Sequence, residues 1–127
     1  AEATAPPAPD VAMPHHAGPL VEFLEQQGMD RVYANYWVAY RVAFESEERV
    51  IATPADASAR YQPYVEALRQ ADRPVYVFPG ESQQAPQFQA GLATLGVPYQ
   101  RWQVAEFVVL RPERRVEWAE VLARAGG

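Results

Sequence analysis

From Pro19 onward, helix-periodic segments alternate with short apolar runs, and no other feature restricts the fold of this chain so strongly. A helix with one apolar stripe needs one face covered, whereas a short run that is apolar throughout needs covering on both faces. Alternation of the two is satisfied by crossover units that lay strands side by side in parallel. Pro19 suits a first helical turn, Leu20, Phe23 and Leu24 fall at helical spacing, and Gly28 is placed to stop the helix. A strand is expected over 31–34, then Asn35 as an N-cap and a helix over 36–45. A second strand, 49–53, is closed by Pro54. Asp56 and Ser58 can start a third helix over 59–71, where Pro63 is tolerable only in the first turns. Pro74 stands before an apolar strand at 75–78, where its missing N–H does least harm. A fourth helix, capped near Ser82, ends at Gly96; strands over 99–103 and 107–110 and a helix over 116–123 complete the pattern.

The last two strands break the alternation. Three residues, Val104 to Glu106, cannot form a parallel crossover, so these strands must be antiparallel neighbours or one bent strand. The expected class is α/β: a three-layer, Rossmann-like sandwich whose mostly parallel sheet of about five strands has an antiparallel edge. Residues 1–18 are rich in alanine and proline and lack periodicity, which predicts a disordered tether ahead of a single domain over 19–127. They have neither the basic start nor the apolar centre of a signal peptide. A tether at this position suggests a piece of a longer protein.

Several function classes are disfavoured at once. A net charge of −5 does not suit a nucleic-acid backbone binder, which needs a basic stripe. No apolar run approaches the roughly 20 residues that cross a bilayer, so a soluble domain is expected. With no cysteine, there are no disulfides or thiolate chemistry. All eleven basic residues are arginine, a bias that a GC-rich genome explains more simply than function does. The first strand–helix turn, YANYW, contains rings where a dinucleotide site needs glycine, so no cofactor is expected. His15 and His16 lie in the tether without a third ligand at metal spacing, so neither a metal site nor a serine–histidine nucleophile is expected, and no catalytic residue is assigned. Glu45, Glu47 and Glu48 form an acidic run that fits a solvated turn, and Glu106 fits an exposed hairpin.

Two clusters remain. The segment Tyr33–Arg41, YANYWVAYR, concentrates aromatic residues where a strand hands over to a helix, and ligands bind at that edge in open α/β sheets. On the helix, Tyr36, Tyr40 and Phe44 form one i, i+4 stripe, and Trp37 and Arg41 form the next. The bland reading packs the first stripe on the sheet as core and pairs Arg41 with Trp37 or an acid. The functional reading makes Asn35, Tyr36, Trp37, Tyr40 and Arg41 one wall of a site. The second cluster, Arg60, Tyr61 and Tyr64 in RYQPY, follows the second strand and so emerges at the same sheet edge.

Together, YANYWVAYRVAFESEERVIATP and RYQPY resemble the soluble C-terminal domain of bacterial polytopic membrane glycosyltransferases related to protein mannosyltransferases and aminoarabinose transferases. Asn35 stands where that pattern carries aspartate, and the likeness covers roughly the middle third of the chain. The resemblance implies a parent that transfers sugar from a polyprenyl-phosphate donor, with its catalytic acid in a transmembrane part outside this chain. It also implies an extracytoplasmic location. The expected function is thus a non-catalytic domain contacting the transmembrane part of the same polypeptide, a glycan or a lipid-linked sugar. The alternatives are a standalone Rossmann-like transferase and a structural interaction module.

Overall fold

The computed structural model describes residues 17–54 and 62–125. The elements, in chain order, are α1 (Gly18–Gln26), β1 (Arg31–Ala34), α2 (Tyr36–Glu45), β2 (Ile51–Pro54), α3 (Gln62–Arg69), β3 (Val75–Pro79), α4 (Gln84–Leu95), β4 (Tyr99–Val104), β5 (Phe107–Pro112) and α5 (Trp118–Ala125). The fold takes in Ala17, which is buried, and Gly18, both of which the sequence assigns to the tether. His15, His16, Asp56 and Ser58 lie outside the described residues.

Local chemistry sets the element ends. After α1 the chain turns at Gly28, whose φ of 72° suits only glycine without strain, and Met29 N–H donates to the Leu24 carbonyl at 2.8 Å. Asn35 is extended, and its Oδ1 accepts from Val38 N–H at 2.8 Å, which fixes where α2 begins. Pro63 is the second residue of α3, inside the turn where proline costs no hydrogen bond. Ser82 Oγ accepts from Gln84 N–H at the start of α4, and Gly96, again at φ 72°, ends that helix.

The sheet has five strands in the order β2-β1-β3-β5-β4. Strands β2, β1 and β3 are parallel, and β5 is antiparallel to both of its neighbours. Four strands therefore point one way and β5 alone points back. The crossover β3–α4–β4 oversteps one position, and the turn at Ala105 and Glu106 returns the chain into the gap as β5. Ala105 takes a φ of 53° to make this turn, and Gly80 N–H donates to the Glu106 carbonyl at 2.6 Å, pinning the hairpin to the end of β3.

Alternate strand residues enter two separate apolar clusters, as period-2 geometry requires. Val32, Val75, Val77 and Val109 pack with Leu20 and Leu24 of α1 and Val38 and Val42 of α2. Tyr76, Phe78, Val108 and Leu110 pack with Phe88 and Leu92 of α4 and Val121 of α5.

One expectation is overturned here. The core-facing side of α2 is Val38, Ala39, Val42 and Ala43, not the stripe Tyr36, Tyr40 and Phe44. Small and β-branched side chains let the helix axis approach the sheet closely, whereas three rings would hold it away. The rings are turned outward, with 40% of Tyr36, 52% of Tyr40 and 67% of Phe44 accessible to solvent.

Candidate functional site: an aromatic cleft beside the edge strand

Strand β2 lies at one edge of the sheet, with the outer side of α2 and the start of α3 beside it. Among the described residues, these three elements enclose a cleft of about 760 Å³. That size is within the range of small-ligand sites. The walls are Tyr36, Tyr40 and Phe44 from α2 and Tyr64 from α3, with Glu47 and Glu48 from the turn after α2. Its floor includes Ala39, Ala43 and Ala52, whose short side chains leave the space that the rings border. Thr53 and Pro54 close the end nearest the carboxyl terminus of β2.

The rings form a surface rather than a filled core. Tyr40 and Phe44 lie nearly parallel, at 9° with centroids 6.1 Å apart, as their i, i+4 spacing dictates. Tyr36 meets Trp37 edge to face at 5.2 Å. Full burial of a side chain of this size is worth about 1.5–3 kcal/mol, and α2 forgoes most of that at Tyr40 and Phe44.

The acidic turn has unusual backbone geometry. Glu47 and Glu48 are consecutive non-glycine residues at φ 55° and 67°, in the left-handed region that glycine occupies at least cost. Their N–H groups donate to the Phe44 and Ala43 carbonyls, so the turn closes the end of α2. Buried Ser46 braces it, its Oγ accepting from Val50 N–H at 3.1 Å. Tyr64 O–H donates to Glu48 Oε2 across the cleft. Arg49 points away to Glu25, with Nε 3.1 Å from Oε2, and makes a looser 3.7 Å contact with exposed Glu47. On β2, Thr53 is 1% accessible, and its Oγ1 has no hydrogen-bond partner among the described residues.

A second cluster positions α3, and Tyr64 with it. Arg115 Nη1 donates to the Leu68 carbonyl at 2.5 Å and to the Ala71 carbonyl at 3.3 Å, holding the end of α3. Its Nη2 donates to Tyr33 O–H at 2.5 Å. Tyr33 stacks on Tyr76, which donates its own hydroxyl to the Val116 carbonyl at 2.6 Å. Burial raises the Tyr76 pKa far above the usual tyrosine value.

The residues expected at the site divide clearly. Tyr36, Tyr40 and Tyr64 share the cleft. Asn35 does not line it; its amide is committed to capping α2. Trp37 and Arg41 occupy the neighbouring stripe, outside the lining. There Arg41 Nη2 pairs with Glu45 Oε2 at 2.8 Å, and the other Glu45 oxygen accepts from Ala17 N–H at 3.0 Å. Arg60 and Tyr61 lie outside the described residues. Phe44, Glu47, Glu48 and Thr53 belong to the cleft but were not anticipated as site residues. The available signal was the alanine at positions 39 and 43, which sets the ring stripe beside a stripe without bulk.

Chemically, the arrangement offers faces for stacking and carboxylates that accept hydrogen bonds or pair with cations. No basic side chain is among the described lining residues, so a phosphate finds no cationic partner among them. No group of three histidine, cysteine or acidic residues among the described residues is placed to hold a metal ion. Comparison with protein-family models, with curated proteins and with solved structures finds no match.

Proposed function

We propose that this chain is a non-catalytic recognition domain of a membrane glycosyltransferase-like protein, and that its cleft holds a sugar unit of a glycan, acceptor or lipid-linked donor. The observation that carries the proposal is the outward stripe Tyr36, Tyr40 and Phe44 bordering a ligand-sized cleft. Pyranose C–H faces stack on such rings, while sugar hydroxyls donate to carboxylates such as those of Glu47 and Glu48. The motif resemblance supports the same reading, because the first motif supplies Tyr36 and Tyr40 and the second supplies Tyr64 to a single cleft. A three-layer Rossmann-like description of the domain is supported by the two apolar clusters that alternate strand residues enter. The partner is the transmembrane part of the same polypeptide, on the extracytoplasmic side. No helix of the described residues is itself long and apolar enough to cross a membrane.

The direct test is titration with neutral oligosaccharides, beginning with a mannose disaccharide, followed by chemical shifts of the tyrosine rings. Binding should be lost in Tyr40→Ala and kept in Trp37→Ala. Equal loss in both variants, or no saccharide binding by the parent chain, contradicts the proposal. For the membrane connection, the coding sequence upstream of Ala1 should encode several transmembrane helices; a reading frame without them sinks that part.

A further inference from the structure

The cleft has a sign as well as a shape. Glu47 and Glu48 bring two carboxylates to a wall that includes no arginine or lysine among its described residues. Arg49, in the same turn, pairs with Glu25 at 3.1 Å and lies 3.7 Å from Glu47, so its single charge is shared between two acids and leaves the turn net negative. The same cleft is lined by Tyr40 and Phe44, whose rings are near-parallel and largely open to solvent. Aromatic faces carry negative quadrupole density, so rings and carboxylates favour the same guest: a positively charged organic group. The Thr53 hydroxyl, buried on the β2 wall, has no hydrogen-bond partner among the described residues and adds an unsatisfied polar group to the lining. Glycine would make the turn at 47 and 48 with less backbone cost, yet both positions carry glutamate.

The geometry points to a ligand that presents an ammonium group between the rings of Tyr40 and Phe44 and the carboxylates of Glu47 and Glu48. This rests on the reading of the cleft as a ligand site and specifies the charge of what enters it. A neutral sugar would use the rings and donate hydroxyls to the carboxylates but would leave their net negative charge uncompensated. A phosphate would meet repulsion from both acids. A second copy of the chain placed symmetrically on this surface would bring four like charges together.

The test uses choline and its uncharged isostere 3,3-dimethylbutan-1-ol, which share one shape and differ in charge, titrated against the whole 127-residue chain. Choline should bind at least tenfold more tightly than the alcohol, and added salt should weaken choline alone. In the Glu47→Gln/Glu48→Gln double variant, choline affinity should fall to the level of the alcohol, whose own affinity should not change. Because the choline–alcohol comparison is made on the parent chain, it holds whether or not the double variant folds. Equal binding of the two compounds, or choline binding indifferent to the double variant, overturns the inference. Saccharide binding without a preference for choline overturns it too, while leaving the sugar-recognition proposal standing. If neither saccharide nor choline binds, both fall.

Discussion

Replacing Gly91 by alanine tests the packing of the last two helices. Gly91 is buried where α4 meets α5, and a Cβ there would lie 1.9 Å from the Val121 carbonyl oxygen, 2.7 Å from its carbon and 2.8 Å from Val121 Cγ1. Two of these three atoms are backbone, so no rotamer change relieves the overlap and α5 must move. In an unencumbered helix interior, glycine to alanine gains about 1 kcal/mol. Against that gain stands overpacking, typically 1–3 kcal/mol. Shifting α5 also disturbs fully buried Val121 and the stack of Trp118 on Phe78 at 4.8 Å, and a side chain losing burial forfeits about 1.5–3 kcal/mol. The net expectation is a loss of roughly 2–4 kcal/mol, read as a lower urea midpoint at unchanged slope. An alanine variant as stable as the parent, or more stable, would refute the close crossing of α4 and α5.

Other perturbations separate further parts of the structure. Asn35→Ala should cost about 1 kcal/mol by removing the cap, whereas Asn35→Asp should cost nothing, since aspartate caps equally well and favours a helix N-terminus; a loss in the aspartate variant would show that the amide has another role. Tyr76→Phe should cost about 1–3 kcal/mol in urea unfolding by leaving the Val116 carbonyl without its donor. Because the folded pKa of Tyr76 is raised, its contribution is complete below about pH 10, where unfolded tyrosine begins to ionise, and is lost as pH climbs further. The parent should therefore lose stability above pH 10 more steeply than the phenylalanine variant, and parallel pH profiles would contradict the burial of that hydroxyl. Glu47→Gly should leave thermal stability unchanged or raise it by up to about 1 kcal/mol, by relieving the left-handed backbone, while weakening choline binding; a clear loss of stability would mean the side chain braces the turn.

Much of the architecture is legible in the sequence because local chemistry dictates it. Asn35 marks the start of α2 by accepting a backbone N–H with its side chain, and Gly96 marks the end of α4 by taking a left-handed φ that few other residues adopt. The short gap at Val104 to Glu106 rules out a parallel crossover and leaves an antiparallel pair or one bent strand; the pair is what forms. The insertion of β5 between β3 and β4 was not legible, since it is set by pairing between distant strands. Nor was the orientation of α2. Tyr36–Tyr40–Phe44 and Val38–Ala39–Val42–Ala43 are both apolar at helical period; hydrophobicity alone favours the rings as core, and close approach to the sheet reverses that choice. The cleft inherits this ambiguity, because it exists only once the rings face outward and Tyr64 arrives from α3. The left-handed turn at Glu47 and Glu48 leaves no mark in a composition that reads as an ordinary acidic loop.

The reading stands most directly on where a ligand touches α2. Ring-selective NMR during titration with a mannose disaccharide resolves Tyr36, Tyr40, Phe44 and Trp37 individually. Shifts at Tyr40 and Phe44, smaller ones at Tyr36 and none at the Trp37 indole are predicted. Shifts confined to Trp37, or unmoved rings at Tyr40 and Phe44 at saturating sugar, would contradict the cleft as a sugar-recognition site.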